Sequence, residues 1–241
     1  MTDQQAQTKL NLSPAQMRKA VAGLIGITLL PAVILFLAAG RVDWWEAWVM
    51  AGGLVLAMLI SRVIVFRKHP ELAVERARGA DERNVKSWDK RLMPIVAIYG
   101  PFLMWLVAGL DKRWNGSPAL PLGVELGAFA IVIAGYWISV WALIVNHFFS
   151  AVVLIQKDRG HHVVTAGPYR FVRHPGYAGG ALAYWATPLA LGTLWMYLPV
   201  LLTIVALVIR TALEDRTLRA ELPGYAEYAA RVRYRLVPGI W

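Results

Sequence analysis

The chain has 241 residues, no cysteine, 58% hydrophobic residues and a formal net charge of +10, with a mean hydropathy of +0.48. An apolar content above the roughly 45–50% of soluble domains points to a membrane protein, and the missing cysteines exclude disulfides, thiol nucleophiles and cysteine metal centres. The basic excess fits cytoplasmic loops facing anionic lipid rather than nucleic-acid readout, for which no soluble basic module is visible.

Residues 1–19 read as a polar cytosolic tail ending in Arg18-Lys19. The uncharged run 20–39 imitates a signal peptide, with its basic flank and Leu37-Ala38-Ala39-Gly40 ending. It exceeds the 7–15 residues of a signal core and matches the roughly 20 needed to span a bilayer, so it is expected to stay in the mature protein as the first transmembrane helix. Arg41 to Asp43 then makes an outer turn, and Trp44, Trp45 and Trp48 form an interfacial cluster opening a second span to about Phe66. Residues 67–91 carry eight basic side chains, the mark of a cytoplasmic loop. The loop reads as a solvated one; a sharper reading lays Glu71, Arg76 and Ser87-Trp88-Asp89 on the membrane surface, covering a site. A third span is predicted over 93–110, bent at Pro94 and Pro101, then an outer loop over 111–117 and a fourth span over 120–145. Residues 20–145 are therefore expected to be a four-helix membrane region.

Residues 146–241 read as a separate core. Its polar centre, QKDRGHHVVTAGPYRFVRHPGYAGG over 156–180, stands between membrane segments. The uncharged run 175–209 would extend about 52 Å as one helix, against a hydrocarbon core of about 30 Å. A hairpin is expected instead, breaking near Thr187-Pro188 or Gly192-Thr193. The fold class is thus all-α, a polytopic helical membrane protein of about six segments with a cytosolic pocket. On this topology only Arg41, Lys112 and Arg113, of 25 basic residues, face out. The two feet of the hairpin emerge together, so Arg210 and Glu214, one helical turn apart, face the loop carrying His161, His162, Tyr169, His174 and Tyr177. The bland reading of Arg210 and Glu214 is an interfacial ion pair; ionisable groups at membrane depth are also candidates for function. Adjacent His161 and His162 point apart in regular structure and no HExxH motif appears, so no metal site is expected. No GxSxG, GxGxxG or P-loop motif is present either.

Gln156, His161-His162-Val163-Val164-Thr165, Gly167, Tyr169, Arg173-His174-Pro175-Gly176-Tyr177 and Gly179 resemble the core motif of the isoprenylcysteine carboxyl methyltransferase family and its phospholipid methyltransferase relatives. Arg210, Glu214, Leu218, Tyr225, Tyr228, Val232, Val237 and Pro238 resemble the second half of that motif. The resemblance covers about the last hundred residues. It implies an integral membrane methyltransferase using S-adenosyl-L-methionine, held by the cytosolic loop and the carboxy-terminal helix. By position it implies cofactor contacts from Gln156, His161, His162, Val163, Val164, Tyr169, His174, Pro175, Gly176, Tyr177 and Glu214, and contact with the methyl acceptor from Arg210. The expected acceptor is a lipophilic or small carboxylate or thiol. Departures at Glu214-Asp215, Leu222-Pro223-Gly224 and His162 bear on the acceptor side. The expected location is a bacterial inner membrane with both termini and the pocket cytosolic. Two alternatives remain at this point: an NADPH-dependent membrane reductase of sterol-reductase type, and a non-enzymatic transporter.

Overall fold

A computed structural model describes residues 14–68 and 85–241, and every regular element among them is helical. Glu71 and Arg76, expected to help cover a site, lie outside the described residues. Helix α1 (Pro14–Ala39) starts earlier than expected and takes Arg18 and Lys19 into its body. It is followed by α2 (Trp45–Lys68), α3 (Asp89–Pro94), a π segment (Ile95–Tyr99), α4 (Gly100–Trp114), α5 (Leu122–Val145), α6 (Pro175–Leu191), α7 (Tyr197–Glu221) and α8 (Tyr225–Arg231). Trp45–Ile64, Asp89–Trp114, Leu122–Val145 and Leu194–Glu221 are each long and apolar enough to cross a membrane. The apolar stretch Thr28–Ala39 at the end of α1 and the uncharged 17-residue α6 are shorter, so among the described residues four of the about six expected segments of this integral membrane protein have spanning length.

The third segment is longer than the sequence suggests and is not simply bent. The Gly100 N–H reaches back to the Ile95 carbonyl, five residues away, which leaves the Val96 carbonyl for the Tyr184 hydroxyl at 3.4 Å. Pro101 has no N–H to donate to its own preceding turn, so a wider turn is tolerated here. At the other end the helix runs through the predicted outer loop to Trp114. Asp111 is buried in it and accepts from the Ser117 hydroxyl at 2.6 Å and the Trp195 N–H at 3.3 Å.

The predicted hairpin breaks at Gly192, not at Pro188, which stays inside α6. Gly192 has φ +63°, a left-handed conformation that suits glycine after a helix. Lys112 lies 3.5 Å from Glu46 and over the Trp44 ring, and the Leu194 N–H bonds Ser117. The α1–α2 turn, the end of α4 and the α6–α7 turn therefore meet at one end of the bundle.

Lipid chains are as apolar as leucine, so membrane helices associate mainly through close packing, which small residues permit. A Cβ on Gly135 of α5 would stand 2.5 Å from the Gly179 carbonyl oxygen of α6, and one on Gly179 would meet the Ser139 backbone at 2.9 Å. Backbone on both sides leaves no flexible group to give way. Gly179→Ala is expected to destabilise the fold by about 1–3 kcal/mol through overpacking, and thermal unfolding in detergent measures it. This contact matters for the site because α5 and α6 deliver Asn146 and His174, the two ends of the polar loop.

Candidate functional site

The loop from Asn146 to Val164 forms one wall of a cleft partly open to solvent. The other wall comes from His174, Gly176 and Tyr177 at the start of α6, from Glu214 and Leu218 on α7, and from Leu222, Tyr225 and Tyr228.

On the loop wall, Phe148 organises the histidines. His161 stacks on its ring with centroids 4.5 Å apart, and His162 meets it edge-on at 4.9 Å. Gln156 is buried behind them: its Nε2 donates to the Phe148 carbonyl at 2.8 Å, and its Oε1 accepts from Arg159 at 2.5 Å. The Gln156 backbone N–H donates to Nδ1 of His161 at 3.3 Å. Burial, with His162 and Arg159 nearby, depresses His161 to a pKa of about 4, so its imidazole is neutral at physiological pH. The unfolded chain would titrate near 6.5. His161 therefore costs nothing above pH 6.5, and as pH falls towards 4 the unfolded state binds the proton preferentially and stability declines. The expected result is that His161→Phe flattens the stability profile between pH 6.5 and 4, read from denaturation midpoints against pH.

On the helical wall, Glu214 accepts a hydrogen bond from the Tyr177 hydroxyl at 2.6 Å. Its neighbour Asp215 is 1% exposed and ties the wall together. Asp215 takes the Arg173 guanidinium through both oxygens, at 2.6 and 3.1 Å. It also accepts from Arg219 and Arg235 at 3.1 Å each and from the Tyr225 hydroxyl at 3.0 Å. Arg173 in turn donates to the Val232 and Arg233 carbonyls, and the backbone N–H groups of Arg173 and His174 bond Tyr234 and Arg235. The carboxy-terminal segment is thus stitched along the site. Beneath it, the Tyr228 hydroxyl donates to the Tyr169 carbonyl at 2.7 Å, and Asn146 donates to the Tyr169 hydroxyl at 3.1 Å. Burial raises the pKa of the Tyr169, Tyr225 and Tyr228 phenols, so all three are neutral hydrogen-bonding groups.

Arg210 does not pair with Glu214. It makes a buried, bidentate bond to Asp89, at 2.7 and 3.2 Å, donates to the Ala151 carbonyl at 2.7 Å, and lies 5.2 Å over the Tyr177 ring. Asp89 is fully buried and also accepts the Val153 N–H at 2.7 Å. The end of the predicted solvated basic loop is therefore a structural anchor, and Asp89 is not laid on the membrane surface. Lys86 reinforces it, through its N–H to the Val153 carbonyl and its ammonium to Glu221 at 2.6 Å.

Of the residues singled out in the sequence, His161, His162, Val163, Val164, Tyr169, His174, Gly176, Tyr177 and Glu214 line one cleft. Gln156, Pro175 and Arg210 stand behind its surface, Pro175 as the first residue of α6. Phe148, Asn146, Arg173, Asp215, Tyr225 and Tyr228 belong to the same constellation without having been chosen as site residues. Arg173 and the two tyrosines lay inside the recognised motifs. Asp89 was marked in the sequence only within the Ser87-Trp88-Asp89 patch, and its pairing with Arg210 had no signal, since that partner is 121 residues away. Among the described residues, no group of three His, Asp or Glu side chains is arranged to hold a metal ion.

Residues 124–222 match the phospholipid methyltransferase family model. A 128-residue segment is 32% identical to the cobalt-zinc-cadmium resistance protein CzcN of Cupriavidus metallidurans, covering 50% of this chain and 51% of that protein. The chain thus spans about half the length of the curated relative it matches. The family match begins on α5 and continues through α6 and α7, taking in the motif loop and the cleft-lining Glu214. Across these elements the chain is similar to the phospholipid methyltransferase family.

Proposed function

We propose that this protein is an S-adenosyl-L-methionine-dependent methyltransferase whose cofactor lies in the cleft between the 146–164 loop and α6 to α8, and whose acceptor is a lipophilic or small carboxylate or thiol. The observation that carries the reading is the convergence of Glu214, neutral aromatic faces and unused backbone donors on one cleft within the family-matched region. The donor set suits the cofactor. Glu214 can receive its ammonium or ribose hydroxyls, and His161, Phe148 and Tyr225 offer stacking faces. No backbone hydrogen bond to another described residue engages Val163 or Val164, which leaves their peptide groups for an adenine edge.

When bound, the cofactor supplies an electrophilic methyl group on a sulfonium sulfur. The chain's residues have to align the acceptor in line with that methyl group and exclude water. The loop wall performs both tasks, and Asp89 and Arg210 hold it against α7. The geometry favours an indirect role for Arg210, fixing Tyr177 and Ala151 around the acceptor rather than offering its occupied Nε and Nη2 atoms. We place the cleft and both termini on the cytosolic side of a bacterial inner membrane, on the charge asymmetry of the loops.

The test is saturable binding of S-adenosyl-L-methionine to the purified protein in detergent, with NADPH as competitor, followed by transfer of labelled methyl to decanoate and octanethiol. Binding of the sulfonium cofactor without competition, together with labelled product, is the expected result. NADPH binding with no methyl transfer would favour the reductase reading.

A further inference from the structure

We infer that His174 is the general base that takes the proton of a thiol acceptor in this cleft, an inference that rests on the methyltransferase reading above. His174 is 6% exposed and lines the cleft, so it is held rigidly yet touches the space where reactants would meet. Its Nε2 lies 3.4 Å from Asp215 Oδ1 and 3.4 Å from the Tyr225 oxygen. The Tyr225 hydroxyl already spends its one proton on Asp215, at 3.0 Å. Both groups facing Nε2 can then act as acceptors, and we assign the proton to Nε2, shared between them. In a neutral imidazole that leaves Nδ1 as a bare lone pair.

Nδ1 has no other occupation. His174 is the residue preceding α6, but its side chain does not cap the helix. Among the described residues the buried side-chain polar atoms without partners are Trp44 Nε1 and Asp111 Oδ1. Nδ1 is not one of them, so it reaches open space, which for a cleft-lining residue is the cleft. Arg173 and Arg235 sit on Asp215, Tyr177 stacks parallel to the imidazole at 5.9 Å, and Glu214 is engaged by Tyr177. The ring also stands at the positive end of α6. Asp215, saturated by guanidiniums, orients the imidazole and does not itself accept the proton.

A carboxylate acceptor is ionised at neutral pH and needs no base, whereas an alkyl thiol, less acidic than a cysteine side chain with its pKa near 8.5, does. An imidazole is well matched to that transfer. In the step, the acceptor sulfur forms a bond to the methyl carbon as the sulfonium carbon–sulfur bond breaks. The electron pair of the broken bond stays on the cofactor sulfur, which becomes a neutral thioether. The S–H proton passes to Nδ1 of His174 and later leaves to water at the cleft mouth. The products are a methyl thioether, S-adenosylhomocysteine and one proton.

The experiment compares wild type with His174→Gln on octanethiol and on 4-nitrothiophenol, a thiol already ionised at neutral pH, using methyl-labelled cofactor in detergent. Calorimetric titration of the cofactor runs in parallel. A general base contributes about 10²–10⁴-fold, so the octanethiol rate should fall at least ~100-fold further than the 4-nitrothiophenol rate. Nitrogen chemical shifts of ¹⁵N-histidine-labelled wild type should show His174 protonated on Nε2 and bare on Nδ1, a readout that survives if the variant fails to fold. Equal losses on both thiols, a proton on Nδ1, or transfer to decanoate alone would each overturn the inference while leaving the methyltransferase reading in place. No cofactor binding and no transfer to any of the three acceptors would overturn that reading as well.

Discussion

Arg210→Met is expected to destabilise the folded protein by about 3–5 kcal/mol, the usual consequence of leaving one member of a buried ion pair uncompensated. Asp89 is fully buried and Arg210 is 4% exposed, so water cannot replace the missing guanidinium. Asp89→Leu should cost a similar amount. The double variant Asp89→Leu/Arg210→Met should recover a substantial part of the loss, because two apolar groups then occupy the site and no buried charge remains. Recovery should be incomplete, since the Val153 N–H and the Ala151 carbonyl lose their partners. A double-mutant cycle from unfolding midpoints in detergent measures the coupling, and additive losses would show that the pair is not bracing the loop. Any loss of turnover in Arg210→Met should accompany a loosened 150–154 segment, seen as faster amide hydrogen exchange there.

Glu214→Ala should weaken S-adenosyl-L-methionine binding by about 10- to 100-fold, from the roughly 1.5–3 kcal/mol of a hydrogen bond to a charged group. Tyr177→Phe removes only the hydroxyl that orients that carboxylate, and its loss should stay below about 10-fold, as for a neutral hydrogen bond. Calorimetric titration of both variants separates the two effects. A Glu214→Ala protein that binds the cofactor like wild type would show that this carboxylate does not touch it. The ordering also distinguishes Glu214 from Asp215, whose removal would release Arg173, Arg219 and Arg235 together and act first on folding.

Much of the architecture was legible because membrane segments are dictated by composition. Residues 122–145 have one buried acidic residue among 24, and no backbone other than a helix satisfies its own hydrogen bonds in lipid. The hairpin followed from length alone. Its turn had two candidates that local rules could not rank: proline at 188 is tolerated in a helix packed among others, whereas glycine at 192 can take the positive φ that ends one. The π segment before Pro101 had only proline as a sign, and proline reads equally well as a bend.

The cleft was partly legible for a different reason. His161, His174, Tyr177 and Glu214 lie in motifs whose spacing survives folding, and the return of the chain through the α6–α7 hairpin brings them to one level. The partners they took were not legible. Arg210 and Glu214 share a helix face one turn apart, which makes an ion pair the natural reading, yet the arginine turned to Asp89 and the glutamate to Tyr177. A partly exposed i, i+4 pair gains a few tenths of a kcal/mol, far less than is lost by leaving Asp89 buried without a counter-charge.

By itself, then, the sequence determined an all-helical membrane protein with a polar motif at the foot of a hairpin, because hydropathy and helix length are local or additive properties of the chain. Only the tertiary structure decided which charges neutralise which, that Gln156 holds Phe148 in place behind the wall, and that His174 lines the cleft with Nε2 against Asp215 and Tyr225. Those outcomes depend on which groups desolvate together, and for Asp89 and Arg210 that is a meeting of residues 121 positions apart that no spacing along the chain encodes.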